Sequence, residues 1–169
     1  MGGTDVRLHL KPMVYAHGFV TKGVMHGVKI RKLHLMAAGT YEAADVNPDN
    51  TKQINVSGSI LNSGSVIVDS GTTDTYMTRS LKAPFMKVFK QVAGFDYIES
   101  GMKLSDDQVN KLPTIVVQLE GHQKNVDVAR DTPGLAGAID DENPTDILIV
   151  IPPSHYIEYD TDHKKFVGR

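Results

Sequence analysis

The chain has 169 residues, 40% of them hydrophobic and 22% charged, which is typical of a globular domain with one hydrophobic core. Its formal net charge is −2 and its lysines and arginines form no extended cluster, so nucleic acid and anionic membrane surfaces are not predicted as partners. No apolar run approaches the roughly 20 residues that a membrane-spanning helix needs. We therefore predict a single domain that contains no membrane segment.

The absence of cysteine excludes disulfides, zinc sites with thiolate ligands and thiol catalysis. Taken alone, it indicates a reducing compartment. Asn55-Val56-Ser57, however, is a glycosylation sequon, which has chemical meaning only in a secretory pathway. The two indications conflict, and Asn55 is kept as a candidate glycosylation site.

The first strands are predicted from alternating apolar and polar residues. Residues 26–35 alternate with one change of phase, which indicates a bulged or bent strand. Residues 37–65 are rich in Gly, Asn, Asp and Ser around a weak strand predicted at 54–60, which is typical of hairpins with exposed turns. The apolar run at 66–68 then predicts a short buried strand that leads directly into Asp69.

After Asp69 the apolar residues follow a helical period. Five of them recur at spacings that place them on one helix face: Leu81, Phe85, Val88, Phe89 and Val92. Thr78 is a candidate N-cap and Gly94 a candidate stop. We predict the main helix over residues 80–93, packed beneath the turn that carries Asp69.

The remaining elements are short. Ser105 and Gln108 form a capping-box pattern, which predicts a brief second helix. Apolar and β-branched runs predict four further strands at 115–119, 147–151, 155–159 and 165–167. The last two would be joined by a turn at 160–163. The predicted fold class is mainly β with one packed helix.

Three sequence patterns could suggest a metal or phosphate site, and we predict a bound ligand at none of them. The seven histidines form neither the His-x-x-x-His nor the His-Glu-x-x-His pair of a zinc site, so no metal is predicted. Asp140-Asp141-Glu142 lacks the alternating oxygen ligands and central glycine of a calcium loop, and we interpret it as a solvated acidic loop. The glycine-rich stretch 57–65 lacks the ending of a phosphate loop and is interpreted as a flexible turn. No cofactor is predicted.

Asp69 has the most informative context in the chain. It ends an apolar strand and is followed at once by Ser70, Gly71, Thr72 and Thr73. Small residues on such a turn allow backbone N–H groups and hydroxyls to crowd the carboxylate, which stabilises its ionised form and fixes its orientation. A purely structural Asp-Ser-Gly turn would show the same first three residues, so on these alone both interpretations stay open.

The wider pattern from Val66 to the helix resembles the second active-site motif of the pepsin family of aspartic proteases: an apolar strand, Asp-Ser/Thr-Gly-Thr/Ser and then a helix. Further stretches resemble segments of the same lobe in the same order, namely Lys-Pro-Met-Val-Tyr at 11–15, Leu-Pro-Thr-Ile at 112–115 and Pro-Pro-Ser-His-Tyr at 152–156. The resemblance covers residues 8–168. It implies the C-terminal lobe of a bilobal pepsin-like protease, built as an acid-protease β-barrel.

The resemblance also implies roles for the turn residues. Asp69 would be one of two catalytic carboxylates, Thr72 would direct its hydroxyl inward to grip the other lobe, and Thr73 would line the substrate cleft. Ser70 and Gly71 would shape the turn. In the family, two aspartates hold a water between them, share one proton and add that water to the scissile amide of a peptide or protein substrate.

The chain departs from the family pattern by omission. A second Asp-Thr/Ser-Gly motif is not found, since Asp131 is followed by Thr-Pro and Asp5 follows Gly-Thr in the wrong order. The family's apolar-apolar-Gly triplet also has no match after Pro152. We therefore expect residues 1–169 to be a partial peptidase domain without the N-terminal lobe and the C-terminal tail, inactive alone. The full-length parent is expected to be secreted or to enter an endomembrane or lysosome-like compartment.

Two alternatives stay open at this point. The lobe could be non-catalytic and bind peptides or protein partners. It could also form a homodimer like the viral retropepsins, which suits a chain with one aspartate motif, although retropepsin chains are shorter and carry their own apolar-apolar-Gly segment. The sequence does not define a natural substrate or a cleavage preference.

Overall fold

The computed structural model of the chain describes residues 12–21, 26–69 and 76–168. Within these residues nine strands form three sheets and helices are few, so the fold class is mainly β, as predicted. The strands are β1 (Gly18–Val20), β2 (His26–Val28), β3 (Ile30–Met36), β4 (Thr51–Gln53), β5 (Val66–Ile67), β6 (Thr114–Leu119), β7 (Ile147–Ile151), β8 (Ile157–Asp160) and β9 (Lys165–Gly168). The α-helices are α1 (Gly58–Leu61), α2 (Lys82–Ala93) and α3 (Asp106–Val109).

The central sheet has the strand order β4-β3-β6-β7, and each neighbouring pair is antiparallel. Strand β3 shifts its register against β6 between Ile30 and Lys32, which confirms the predicted bulge. Strands β1, β2 and β5 form a second sheet, also antiparallel. Strands β8 and β9 form the predicted hairpin.

The central sheet buries apolar side chains on both faces, because successive residues of a strand point to opposite sides. Leu33, Leu35 and Ile115 lie on the face that packs against α2 in the main core. Met36 and Val116 lie on the opposite face, in a smaller core that loop residues help to cover. The central sheet is thus the middle layer of the described fold.

Helix α2 is the predicted main helix, with the expected buried face. Phe85, Val88 and Phe89 are buried against the sheet, and Val92 packs at the margin of the same core. The candidate N-cap is only partly right. Thr78 precedes a 3-10 turn at Arg79–Leu81 and its side chain makes no capping hydrogen bond, because that turn separates it from the first residue of α2.

Helix α2 ends where the sequence predicted, at a glycine in the left-handed region. Gly94 has φ 82° and its amide donates to the carbonyl oxygen of Lys90. An L residue at such a φ brings its Cβ close to the following carbonyl oxygen. We expect Gly94→Ala to lower the free energy of unfolding by about 1–2 kcal/mol.

Gly58→Ala is the matched control for this prediction. Gly58 starts α1 without a positive φ, and a Cβ added there meets nothing within 4 Å. This variant should be neutral or gain about 0.4–1 kcal/mol through reduced freedom of the unfolded chain. Urea titration of both variants measures the effect, and equal stabilities would contradict it.

The strand predicted at 54–60 is wrong. Strand β4 ends at Gln53, and α1 occupies the end of the predicted range. Asn62 explains part of the difference, since its side chain accepts from the Ile30 amide at 2.9 Å and donates to the Ile30 and Gly58 carbonyl oxygens at 2.8 Å. A side chain therefore supplies the bonds to Ile30 that a neighbouring strand would otherwise supply.

The capping box at Ser105 is confirmed. The Ser105 hydroxyl accepts from the Gln108 amide at 3.3 Å, and the Gln108 side chain accepts from the Ser105 amide at 3.0 Å, at the start of α3.

The strand predicted at 155–159 begins only at Ile157, because Pro153–His155 form a 3-10 turn.

Candidate functional site

Asp69 lies just beyond the end of β5, at one edge of the sheet formed by β1, β2 and β5. Ile67 of β5 pairs with Gly27 of β2, and the Val68 amide donates to the His26 carbonyl oxygen at 3.4 Å. Asp69 itself is exposed. The strand therefore presents this residue at the surface of the described fold.

The sheet beside Asp69 exposes apolar side chains on both faces. Phe19 and Ile67 flank Gly27 in one row and are 45% and 38% exposed. Val20 and Val68 lie in the next row, so they point to the other face, and they are 71% and 61% exposed. We call Phe19, Val20, Ile67 and Val68 the Asp69 apolar surface.

The prediction of a buried strand at 66–68 is wrong for the described fold. Only Val66 is half-buried, whereas Ile67 and Val68 are exposed. Sequence alone predicted burial because the run is apolar throughout. Each face of the small sheet thus exposes one apolar pair, and grouped exposed apolar side chains occur at sites where proteins bind a partner.

The other residues of the candidate motif cannot be placed beside Asp69. Ser70, Gly71, Thr72 and Thr73 lie outside the described residues, so the roles that the resemblance implies for them stay predictions.

Asn55, the candidate glycosylation site, lies between β4 and α1 and is exposed, which leaves its side chain accessible.

A cavity of about 660 Å³ opens at the start of α2. Its volume lies in the range of small-molecule sites, about 300–1,000 Å³. Apolar and aromatic side chains form much of its wall, among them Leu81, Phe85, Met86, Tyr97, Ile115 and Tyr156. Charged side chains also line it: Arg79, Lys82 and Glu99.

Two charged groups of the cavity pair with each other, and two of its phenols, those of Tyr97 and Tyr156, are kept neutral. Lys82 donates to Glu99, and this hydrogen bond lowers the pKa of Glu99. Burial, followed by the negative charge of Glu99, raises the pKa of Tyr97. The Tyr156 hydroxyl donates to the Pro113 carbonyl oxygen, and burial raises the pKa of Tyr156. Both phenols therefore stay protonated over the ordinary pH range.

The cavity and the candidate catalytic carboxylate are not brought together. Asp69 is not among the described residues that line the cavity. Thr78 does line it, and its Oγ1 is buried without a hydrogen-bond partner in the described part of the chain. We assign the cavity no role in the chemistry of Asp69.

A buried polar cluster lies on the opposite side of the central sheet, and the sequence did not predict it. Its members are Arg31, Lys32, His34, Gln118, Asp140 and Asp146. The side-chain nitrogen of Gln118 donates to Asp140 Oδ2 at 2.7 Å and to Asp146 Oδ2 at 2.9 Å. Lys32 Nζ lies 2.8 Å from Asp140 Oδ2, and Arg31 Nε donates to Asp146 Oδ2. One amide and two cations thus hold two buried carboxylates.

The interpretation of 140–142 as a solvated loop is wrong for Asp140, whose residue is only 4% exposed. Burial raises the pKa of Asp140, but hydrogen bonds from Lys32, Gln118 and Asn143 outweigh burial and hold this pKa at about 2. Asp141 and Glu142 are exposed, as predicted. No sequence signal separates Asp140 from its neighbours, because its burial depends on strands far away in the chain.

Within residues 12–21, 26–69 and 76–168, no group of three or more histidine, cysteine, aspartate or glutamate side chains has the geometry to hold a metal ion. Over the same ranges, no helix has the length and apolar character needed to cross a membrane.

Comparison with models of protein families, with curated proteins and with solved structures gave no match to this chain.

Proposed function

We propose that the chain is the C-terminal lobe of a pepsin-like aspartic endopeptidase and contributes one of two catalytic carboxylates, Asp69. The observation that supports this most is an exposed Asp69 at the end of β5, directly before Ser-Gly-Thr-Thr and ahead of the amphipathic helix α2. Strand β5, Asp69 with its Ser-Gly-Thr-Thr sequence, and α2 follow one another along the chain in the order of the motif that the sequence resembles. The proposed substrate is a peptide or protein, and no cofactor is required.

The proposed reaction needs two carboxylates in different protonation states. An ionised aspartate takes a proton from water while the water oxygen attacks the scissile carbonyl carbon, and a protonated aspartate donates its proton to the carbonyl oxygen. The tetrahedral intermediate then collapses: the aspartate that took the water proton gives it to the amide nitrogen, the other aspartate takes back a proton from a hydroxyl of the intermediate, and the C–N bond breaks. Asp69 can fill one of these roles at a time, so the second carboxylate is proposed to come from another lobe.

The Asp69 apolar surface supports a partner at this position. Its four side chains are exposed on the same small sheet that presents Asp69. Full burial of an apolar side chain of this size is worth roughly 1.5–3 kcal/mol, so a lobe that covered the exposed part of the two side chains on one face would gain at most a few kcal/mol. We propose that this partner is the N-terminal lobe of the same protease.

The same surface is compatible with two other partners. A second copy of the chain would give a retropepsin-like homodimer with two copies of Asp69. A peptide or protein bound without hydrolysis would make the chain a non-catalytic binding lobe. These alternatives differ from the proposal in the source of the second carboxylate, which an activity measurement can identify.

The test is complementation with an N-terminal lobe. The chain is refolded together with a separately expressed pepsin-family N-terminal lobe that contains its own Asp-Thr-Gly-Ser motif. Peptide cleavage is measured at a pH of about 3, between the two pKa values of such a carboxylate pair. We expect cleavage that a pepstatin-like inhibitor blocks and that Asp69→Asn abolishes.

Asp162→Asn is the matched control, because Asp162 is exposed in the turn between β8 and β9, where the proposal gives it no role. It should retain the restored cleavage. Thermal unfolding of both variants checks that they fold. Cleavage that persists in a folded Asp69→Asn chain would contradict the proposed role of Asp69.

A further inference from the structure

We propose that the buried polar cluster is a pH-responsive latch, which holds residues 121–146 against the central sheet and releases them when His34 gains a proton. The proposal is independent of Asp69 and of any peptidase activity. It rests on how the cluster joins β6 and residues 121–146 to β3, which is distant from both in sequence.

The cluster attaches the C-terminal part of residues 121–146 to the sheet, and the segment begins shortly after the end of β6. Asp146 Oδ1 accepts from the Gly121 amide at 2.9 Å, so the two ends of the segment are tied to each other. Asp140 and Asp146 are both bound by Gln118 of β6. Between Gly121 and Asp146 the segment contributes Ala136 to the smaller core, on the face of the sheet opposite α2. Loss of the anchors would expose that core.

Gln118 also fixes the state of His34. Both carboxylates accept hydrogen bonds from the Gln118 side-chain nitrogen, so its oxygen is the atom that faces His34 Nε2, at 3.4 Å. An amide oxygen can only accept, so His34 Nε2 carries the hydrogen in the neutral ring. A proton gained by His34 must therefore bind Nδ1.

The charges around His34 are balanced while the ring is neutral. Lys32 on β3 and Asp140 in the segment are the charged groups that face it, while its neighbour on β6 is the neutral Gln118 and its register partner on β4 is the neutral Gln53. Arg31 and Asp146 form the second pair beyond Gln118. The cluster thus contains two cations and two anions, and a protonated His34 would add an unbalanced buried cation.

The burial of His34 determines how the opening of residues 121–146 should change with pH. Burial lowers the pKa of His34 below its ordinary value of 6.5; together with the positive charge of Lys32 it outweighs the hydrogen bond to Gln118 and the negative charge of Asp140, which raise this pKa. The closed state therefore keeps His34 neutral, while an opened segment exposes a histidine that binds a proton below pH 6.5. Opening should increase by up to tenfold for each pH unit below 6.5, until the pH reaches the pKa of the closed state.

Asp140 would affect the opening of residues 121–146 in a separate and more acidic pH range. Its pKa of about 2 in the closed state is below its ordinary value of 3.8. The contribution of Asp140 to the stability of the closed state is therefore complete above pH 3.8 and is lost as the pH falls towards 2. Between pH 6.5 and about 4 Asp140 keeps its charge, so it does not contribute to a change in the opening equilibrium. The two ranges allow the histidine to be tested apart from Asp140.

Native-state hydrogen exchange measures the opening directly. The reporting amides are those of Gly121, Ala136 and Leu148, which donate to Asp146 Oδ1, the Asp146 carbonyl oxygen and the Gly134 carbonyl oxygen. Protection factors are determined from about pH 4.5 to 7.5 and corrected for the intrinsic exchange rate. We expect these amides to lose up to tenfold protection per pH unit below 6.5 while the amides of α2 do not. Parallel loss in α2 would mean global unfolding and would overturn the proposal.

His34→Gln and His155→Gln form the matched pair of variants. Glutamine at position 34 retains a side chain able to hydrogen-bond Gln118 but cannot gain a proton at these pH values, so the pH dependence should disappear. His155 is exposed and lies outside the cluster, so His155→Gln should behave as wild type. If His34→Gln kept the wild-type pH dependence, His34 would not be the proton acceptor and the proposal would be wrong.

Asp140→Asn examines the anchor itself. It preserves the shape of the side chain but removes the charge that pairs with Lys32. The three reporting amides should be less protected at pH 7.5 than in wild type, with α2 unchanged. Unchanged protection of residues 121–146 in this variant would show that the cluster does not hold the segment, and would overturn the latch.

Discussion

The chain by itself is expected to hydrolyse peptides several orders of magnitude more slowly than a two-lobed aspartic protease. One carboxylate cannot act as ionised base and protonated acid in the same step. Asp69 is also exposed in the described fold, so an attacking water would not be enclosed and a substrate would be held from one side only. Loss of one member of a cooperating pair together with loss of positioning removes far more rate than either alone.

Turnover of an acid-protease substrate by the purified chain, measured over a range of protein concentrations, checks this expectation. Background turnover at every concentration agrees with it. Activity that increases with the square of protein concentration would support the retropepsin-like homodimer instead. Activity that is first order in protein and is lost in Asp69→Asn would contradict the need for a second lobe.

Phe89→Ala is expected to lower the free energy of unfolding by roughly 3–5 kcal/mol, the range for removal of a buried aromatic side chain. Phe89 is fully buried in the main core beneath β3. Its ring lies 5.9 Å from Phe85, 5.6 Å from Phe95 and 5.3 Å from Tyr97, measured between ring centroids. Removal of the ring leaves a cavity at the centre of an aromatic group, which the surrounding residues can only partly fill.

Phe19→Ala is the matched control, since it makes the same change at a site that is 45% exposed. Its cost should be clearly smaller, because less apolar surface returns to water on substitution. Denaturant titration gives both values, with an unchanged m-value required for the comparison. Similar costs for the two variants would mean that α2 does not pack as described.

The sequence by itself determined the elements whose signals are local. The five-residue apolar stripe defined the buried face of α2, because spacings of three and four bring side chains together on any helix. Gly94 predicted the end of α2, since glycine tolerates the left-handed φ that a helix end often adopts. The capping box at Ser105 and the hairpin of β8 and β9 were predicted for the same reason: their hydrogen bonds join residues close in the chain.

The tertiary structure alone decided which apolar and polar groups are buried. The run at 66–68 is apolar, yet Ile67 and Val68 are exposed, because burial requires a covering element that a local pattern cannot specify. Asp140 resembles its acidic neighbours in sequence but is buried, because Lys32 and Gln118 on two distant strands supply the charge and hydrogen bonds that make burial tolerable. Local periodicity determined the elements, and contacts between distant residues determined their environment.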